Sequence, residues 1–297
     1  MSRIAYVNGR YVPHAVAAVH VEDRGYQFAD GVYEVCEVHG GRLLDERRHM
    51  ARLGRSLGEI RIGWPMTPAA LGVVLREVIH RNRIVDGIVY LQVTRGVAPR
   101  DHAFPAASVH PSLVITARAM PREPRDRRAD QGVAVITVPD NRWERVDIKT
   151  VGLLPNVLAK QQAREAGAFE AWFVDKDGYI TEGTSTNAWI VTGDGAIITR
   201  PADRGILRGV TRSLIVDLAA GDGLRLEERR FSLAEAKSAG EAFLTSRTTA
   251  VTPIVKIDGT NVGNGKPGPF ARRLRQACLA AAEIAPEWSG PVAVDKV

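Results

Sequence analysis

The sequence is short of the features that mark several large protein classes. It has only two cysteines, Cys36 and Cys278, so a disulfide framework is excluded as the basis of its stability. Cys36 lies in an apolar strand pattern and reads as a buried thiol, which suits a reducing cytoplasm. No run of about eighteen apolar residues occurs, which excludes an ordinary membrane-spanning helix. The opening MSRIAYVNGRYV lacks the apolar stretch of a signal peptide, so a cytoplasmic location is expected. There is no GxGxxG after a strand and no GxxxxGK followed by Ser or Thr, so dinucleotide and P-loop readings fail. The seven histidines show no ligand spacing, and no metal is expected. The stretch GTSTN at 183–187 is not the GxSxG elbow of a hydrolase.

What is present is the balance of an ordinary globular chain of 297 residues, 45% hydrophobic and 25% charged. Such a length suits one large domain or two medium ones and buries a full core. The net charge is +6, but the arginines are mostly scattered among acids. The one dense cluster, Arg118, Arg122, Arg125, Arg127 and Arg128, is interrupted by Pro121, Pro124 and three acids. It reads as a solvated linker before it reads as a nucleic-acid patch. The expected organisation is therefore a small N-terminal α/β domain over 1–117, a linker over 118–130 and a larger C-terminal domain over 131–297.

The element pattern is α+β, without a regular βαβ alternation. IAYVNG and YEVCEVHGGRLL read as strands, the second turned into a hairpin by Gly40-Gly41. ERRHMARLGRSLGEIRI reads as a helix with Met50, Leu53, Leu57 and Ile60 on its apolar face. A second helix begins at Thr67-Pro68, and GIVYLQVTRG and PSLVITARA are strands. In the second part GVAVITVPD is a strand, and Val146-Asp147-Ile148 alternates like another, half-buried one. A helix over roughly 156–166 follows. Three or four strands span 170–200, with further helices at ILRGVTRSLIVDLAA, LAEAKSAG and PFARRLRQACLAAAEIA. EAFLTSRTTAVTPIVKIDG is strand, loop, strand. The tail after Pro286 is expected to be irregular.

Within this frame Lys149 stands out: only Asp147 offers it an obvious charged partner. Three glycine- and hydroxyl-rich turns accompany it: TEGTSTN (181–187), LRGVTR (207–212) and TSRTTAVT (245–252). In LRGVTR, Gly209 frees the backbone, and the amides of Val210 and Thr211 open a helix, which makes an anion site. Taken alone, that segment reads first as a threonine capping its own helix. A lysine for an aldehyde, a carboxylate (Glu182) for a pyridine nitrogen and NH and OH donors for a phosphate together suggest a phosphorylated aldehyde cofactor.

EDRGYQFADGVYEV, LQVTRGVAPRDHAFP, DIKTVGLLPNVLAKQQA, ITEGTSTNAWIV and GILRGVTR resemble the motifs of the class IV, fold-type IV pyridoxal-phosphate aminotransferases, and within them the D-amino acid transaminase branch. The resemblance runs from about residue 4 to 260. It implies a two-domain fold-type IV architecture, pyridoxal 5'-phosphate as cofactor, a homodimer, and ping-pong transfer of an amino group from a D-amino acid to a 2-oxo acid such as 2-oxoglutarate or pyruvate. It further implies that Lys149 forms the Schiff base and carries the transferred proton. Glu182 would pair with the pyridine nitrogen, Arg52, Val210 and Thr211 would bind the phosphate, and Leu207 would pack on the ring. Ser185 and Thr186 would join the cofactor's hydrogen bonds. Tyr33, Val35, Arg100 and His102 match the substrate side, where an Arg-x-His pair is suited to one carboxylate. The helical pattern alone sets Arg52 opposite the apolar face and thus in solvent. The chain departs from the family after AFLTS, where Arg247 stands beside Thr248 at positions commonly held by small or hydroxyl residues contacting the phosphate. Pointing inward, Arg247 adds a second cation there. Branched-chain L-amino acid or (R)-amine transaminases and aminodeoxychorismate lyase share the scaffold and are the rival readings. A basic nucleic-acid-binding protein is the distant one.

Overall fold

A computed structural model describes residues 3–221 and 223–286. The tail after Pro286, expected to be irregular, lies outside the described residues. The chain forms two compact units, one made of the residues to Pro121 together with Lys149–Gly152 and the stretch from Glu283, the other of Arg122–Ile148 and Leu153–Ala282.

The first unit is an antiparallel sheet covered by helices. Its strands are β1 (Ile4–Val7), β2 (Arg10–Pro13), β3 (Gly31–His39), β4 (Arg42–Leu43), β5 (Gly87–Thr94) and β6 (Ser112–Ala119), in the order β2-β1-β6-β5-β3-β4. The helices are α1 (Arg24–Phe28), α2 (Glu46–Glu59) and α3 (Pro68–Arg81). Strand periodicity divides β3 into two faces. Val32, Glu34, Cys36 and Val38 are buried, whereas Tyr33 and Val35 are only half-buried. Val89, Leu91 and Val93 of β5 extend the buried face, and Leu53 and Leu57 of α2, which packs on β3, and Leu71, Leu75 and Val78 of α3, which packs on β1 and β6, are likewise at most 1% exposed. Each such side chain contributes about 1.5–3 kcal/mol. The Thr67 side chain accepts from Ala70 N and caps α3, with Pro68 in its first turn, as expected.

The second unit contains α4 (Glu123–Gln131), β7 (Val133–Pro139), α5 (Leu154–Glu165), β8 (Glu170–Val174), β9 (Ile180–Gly183), β10 (Asn187–Val191), β11 (Ile197–Thr199), α6 (Val210–Gly221), β12 (Leu226–Glu228), α7 (Leu233–Ser238), β13 (Glu241–Ser246), β14 (Ala250–Ile257), β15 (Thr260–Asn261) and α8 (Pro269–Ala280). The strands β10-β13-β14-β7-β8-β9 run in sequence and return to β10 through the pair Asn187–Glu182, which closes a six-stranded barrel. Trp172, Ile180, Ile190, Leu244 and Ile254 fill one core. Trp189, Phe243 and Val251 face α6 and α8, with the Trp189 and Phe243 rings stacked 5.5 Å apart.

Two readings of local structure are corrected. Val146-Asp147-Ile148 is not a strand: residues 144–147 form a turn, with Ile148 N donating to Arg145 O at 3.1 Å. The alternation is one of residue type alone: Asp147 is buried, paired with Arg145 at 3.0 and 3.1 Å, while Val146 is only half-buried. The arginine-rich segment is helical as α4, whose Glu123–Arg127 pair has the i,i+4 spacing of a helix surface.

Candidate active site

Strand β4 covers only Val38 and His39 of β3. The other end of that edge is taken by the segment around Lys149. Tyr33 N donates to Lys149 O at 3.0 Å, Val151 N donates to Gly31 O at 3.1 Å, and Val32 bridges Thr150. These bonds fix the backbone of Lys149 beside Tyr33. Its Nζ lies 4.1 Å from the Tyr33 ring centroid. With Asp147 turned to Arg145, Lys149 makes no ion pair among the described residues, so its amine is held by an aromatic face and no counter-charge. Val35 shares the half-buried face with Tyr33, and the Tyr90 ring lies 5.6 Å from that of Tyr33.

On the opposite face of β3, Glu34 is completely buried. Arg52 Nε and Nη2 donate to its two oxygens at 2.7 Å each, and His49 Nδ1 lies 2.8 Å from Oε2. Burial alone would raise the Glu34 carboxyl, but Arg52 and then His49 outweigh it and hold the group well below the usual carboxylate range. Burial likewise opposes the charge on Arg52, and Glu34 more than restores it. The expectation of a solvated Arg52 is thus corrected: its side chain is 12% exposed. The buried face of α2 is His49, Leu53, Ser56 and Leu57. At 100° per residue, Arg52 adjoins Ser56 and His49, polar residues that an apolar pattern does not count.

In the second unit Glu182, at the end of β9, is 6% exposed and held from three sides. Arg142 Nη1 donates to Oε1 at 2.6 Å, and Asn187 Nδ2 and Leu207 N both donate to Oε2 at 3.1 Å. Arg142 is shared: its Nε and Nη2 donate to Asp140 at 2.9 and 2.8 Å. Burial is the largest influence on Glu182 and lifts its carboxyl above the ordinary value despite Arg142. Asn187 also donates to Leu207 O at 2.8 Å and so ties the approach to α6 onto the barrel. Gly209 is required here, since a Cβ would come within 2.1 Å of Asn187 Oδ1. Beyond it, α6 opens at Val210, and Thr211, 1% exposed, has an Oγ1 with no hydrogen-bond partner. Register sets Asn187 opposite Thr245 on β13, which leads into the 246–249 turn. There Ser246 Oγ contacts the hydroxyls of Thr248 and Thr249 at 3.3 and 2.9 Å, and Arg247 is buried, 7% exposed.

Ser185 and Thr186 have their hydroxyls engaged elsewhere. With Thr184 they donate to the buried carboxylate of Glu170, Ser185 at 3.1 Å and Thr186 at 3.4 Å. Arg100 and His102 lie exposed on the β5–β6 loop of the first unit. Neither makes a hydrogen bond or ion pair with Tyr33 or Lys149 among the described residues. The structure therefore brings Tyr33, Val35 and Lys149 together in one unit. Glu182, Leu207, Val210, Thr211 and the 246–249 turn neighbour one another in the other. Sequence reasoning missed Arg142, Asp140, Asn187, Glu34, His49 and Glu170. Only Asp140-Asn141-Arg142 at a strand end carried a signal, as a turn with a fork of opposite charges.

The chain belongs to the class IV aminotransferases, whose family model matches residues 31–257. It is 42% identical to a D-alanine aminotransferase of Bacillus licheniformis over 91% of this chain and 94% of that one. It is 41% identical to the D-alanine aminotransferase of Listeria innocua, over 90% and 92%. Among solved structures it superposes on the branched-chain amino acid aminotransferase of Escherichia coli with a TM-score of 0.86 at 25% identity, covering 95% of both chains. A hypothetical aminotransferase of Mycobacterium tuberculosis in its PLP-bound form, 21% identical, gives a TM-score of 0.80 and shares the fold.

Proposed function

We propose that this aminotransferase uses pyridoxal 5'-phosphate to move the amino group of a D-amino acid, D-alanine foremost, to a 2-oxo acid. The observation that carries the cofactor is the set of three donor types its chemistry requires. Lys149 offers an amine with no ion pair among the described residues. Glu182 is a buried carboxylate with a raised proton affinity. The N-terminus of α6 carries an orphaned buried hydroxyl, that of Thr211. When bound, the cofactor supplies an electron sink for the substrate's α-carbon. Lys149 would hold it, and its amine, placed by the Tyr33 ring, would carry the proton of that carbon. Glu182 would accept from the N–H of the ring nitrogen, a role its elevated proton affinity suits. Val210 N, Thr211 and Thr248 bind the phosphate, with Arg52 and Arg247 as its cations. Leu207 flanks the ring. Arg100 and His102 bind the substrate carboxylate, and Tyr33 and Val35 line its side-chain path.

The preference for D-amino acids rests on the relatives that are about 40% identical; likeness to branched-chain enzymes lies at 25% identity and supports the scaffold. A homodimer is part of the reading. The exposed face of α5 carries Leu154, Val157 and Leu158 at i, i+3 and i+4, and the stretch with Val16, Val19, Val21 and Tyr26 is also exposed. Apolar patches of this kind mark contact surfaces. The test is to incubate the protein and cofactor with D-alanine and 2-oxoglutarate, and separately with L-leucine. Pyruvate from D-alanine without turnover of leucine is expected; the reverse pattern refutes the substrate assignment. In Lys149→Ala the visible absorption of the lysine-bound cofactor is lost, and its full retention removes Lys149 from the role.

A further inference from the structure

The loop that carries Arg100 and His102 joins β5 to β6 and has no helix or strand of its own. A guanidinium on such a loop recognises a carboxylate only if something else sets its direction. Helix α1 supplies the fixings. Arg24 N donates to Gly96 O at 2.9 Å and Ala98 N to Glu22 O at 3.3 Å, anchoring the loop's start. The Arg24 side chain is 3% exposed; its Nε donates to Asp30 Oδ2 at 2.9 Å and its Nη1 to Asp101 O at 2.6 Å. It therefore clamps the backbone between Arg100 and His102. Asp30 is held in turn by Arg95 at 2.7 and 2.9 Å, and Arg95 lies 3.7 Å from the Phe104 ring centroid, which pins the far side of the loop. Asp101 Oδ1 accepts from Ala103 N at 3.1 Å and closes a turn around His102.

One ring remains between these fixings and the two side chains. Phe28, the last residue of α1, has the Arg24 guanidinium 4.8 Å and the Arg100 guanidinium 4.4 Å from its centroid, and the His102 ring 5.4 Å away. Arg100 makes no ion pair among the described residues, so the aromatic face is what directs it while leaving its charge uncompensated. We infer that Phe28 is the positioning residue of the Arg100–His102 pair, with Arg24 setting the loop backbone beneath it. The inference rests on the reading of that pair as the site of the substrate carboxylate. Phe28 touches no substrate; it acts through Arg100 and His102.

The test is a set of Phe28 variants measured with D-alanine and 2-oxoglutarate. Phe28→Leu keeps an apolar bulk and removes the aromatic face, so its melting temperature stays near that of the parent while KM for both substrates rises roughly 3- to 10-fold, in line with cation–π strengths. Both rise because both carry the same carboxylate, and kcat stays within about twofold. Phe28→Tyr restores the parental KM. In a chain already carrying Arg100→Ala and His102→Ala, Phe28→Leu changes KM less than about twofold, since coupled residues are not additive. Unchanged KM in Phe28→Leu, a fall confined to kcat, or a full effect in the doubly substituted background overturns the inference. If Arg100→Ala with His102→Ala itself leaves both KM values unchanged, the reading of the pair fails, and that result is distinct from failure of Phe28 alone.

Discussion

In each unit of the chain a glutamate is buried against an arginine, and the two behave in opposite ways. Glu34 has the two-pronged attention of Arg52 and a further contact from His49, and its proton affinity falls far below the ordinary value. Glu182 receives one bond from Arg142, which gives two others to Asp140, and its remaining partners are neutral N–H groups. Burial then dominates and its proton affinity rises. The residue type and the degree of burial are nearly the same; what differs is how the arginine is divided. A carboxylate fully matched by its own protein is a structural anchor. One that is left undermatched keeps affinity for an outside cation, which is what a pyridine nitrogen with its proton presents.

This contrast is best broken by the same isosteric change at both positions. Glu182→Gln lowers transamination by a factor on the order of 10²–10³, the size of a lost preorganised electrostatic partner. Measured on the cofactor-free protein at pH 7, the same variant is no less stable than the parent, because the change removes a charge that burial disfavours. Glu34→Gln does the reverse to stability. It leaves Arg52 charged and largely buried without its counter-ion, and chemical denaturation should show a loss of about 3 kcal/mol. Equal losses of stability in the two variants would erase the distinction drawn here.

The smallest effect is on pH dependence. The folded value of Glu34 lies below its unfolded value near 4.5, so below that pH the unfolded chain binds the proton first. The stability Glu34 contributes is complete above pH 4.5 and is lost as acid is added; Asp30 and Asp140 act in the same direction. Glu182 has the opposite sign, since its folded value is raised and protonation favours the folded state. Unfolding free energies followed from pH 6 to pH 3 should therefore decline less steeply in Glu34→Gln than in the parent. In Glu182→Gln they should decline at least as steeply as in the parent.

Much of the architecture could be read from residue order. The strands β3, β9 and β10, the glycine before α6 and the capped start of α3 each carry a local signal, either a period, a turn residue or a cap. What escaped was decided by partners far away in sequence. The burial of Arg52 depends on Glu34, eighteen positions earlier on a strand whose own alternation gives no hint of the charge inside it. Arg142 meets Glu182 across forty residues, and the short helix α1 has too few turns to show a period. The turn at 144–147 imitated a strand because apolar Val146 and Ile148 flank Asp147, and the ion pair with Arg145 that buries Asp147 leaves no trace in that order. In α4, Pro124 and the charge density outweighed the helical spacing of Glu123 and Arg127.

The central claim is that Glu182 is kept undermatched for the cofactor. Its most direct test measures Glu182→Gln twice on one preparation: turnover of D-alanine with 2-oxoglutarate, and the melting temperature of the cofactor-free protein at pH 7. The account predicts turnover reduced by a factor on the order of 10²–10³ with a melting temperature equal to or above that of the parent. Turnover within about tenfold of the parent, together with a lowered melting temperature, would contradict it and make Glu182 a second structural anchor like Glu34.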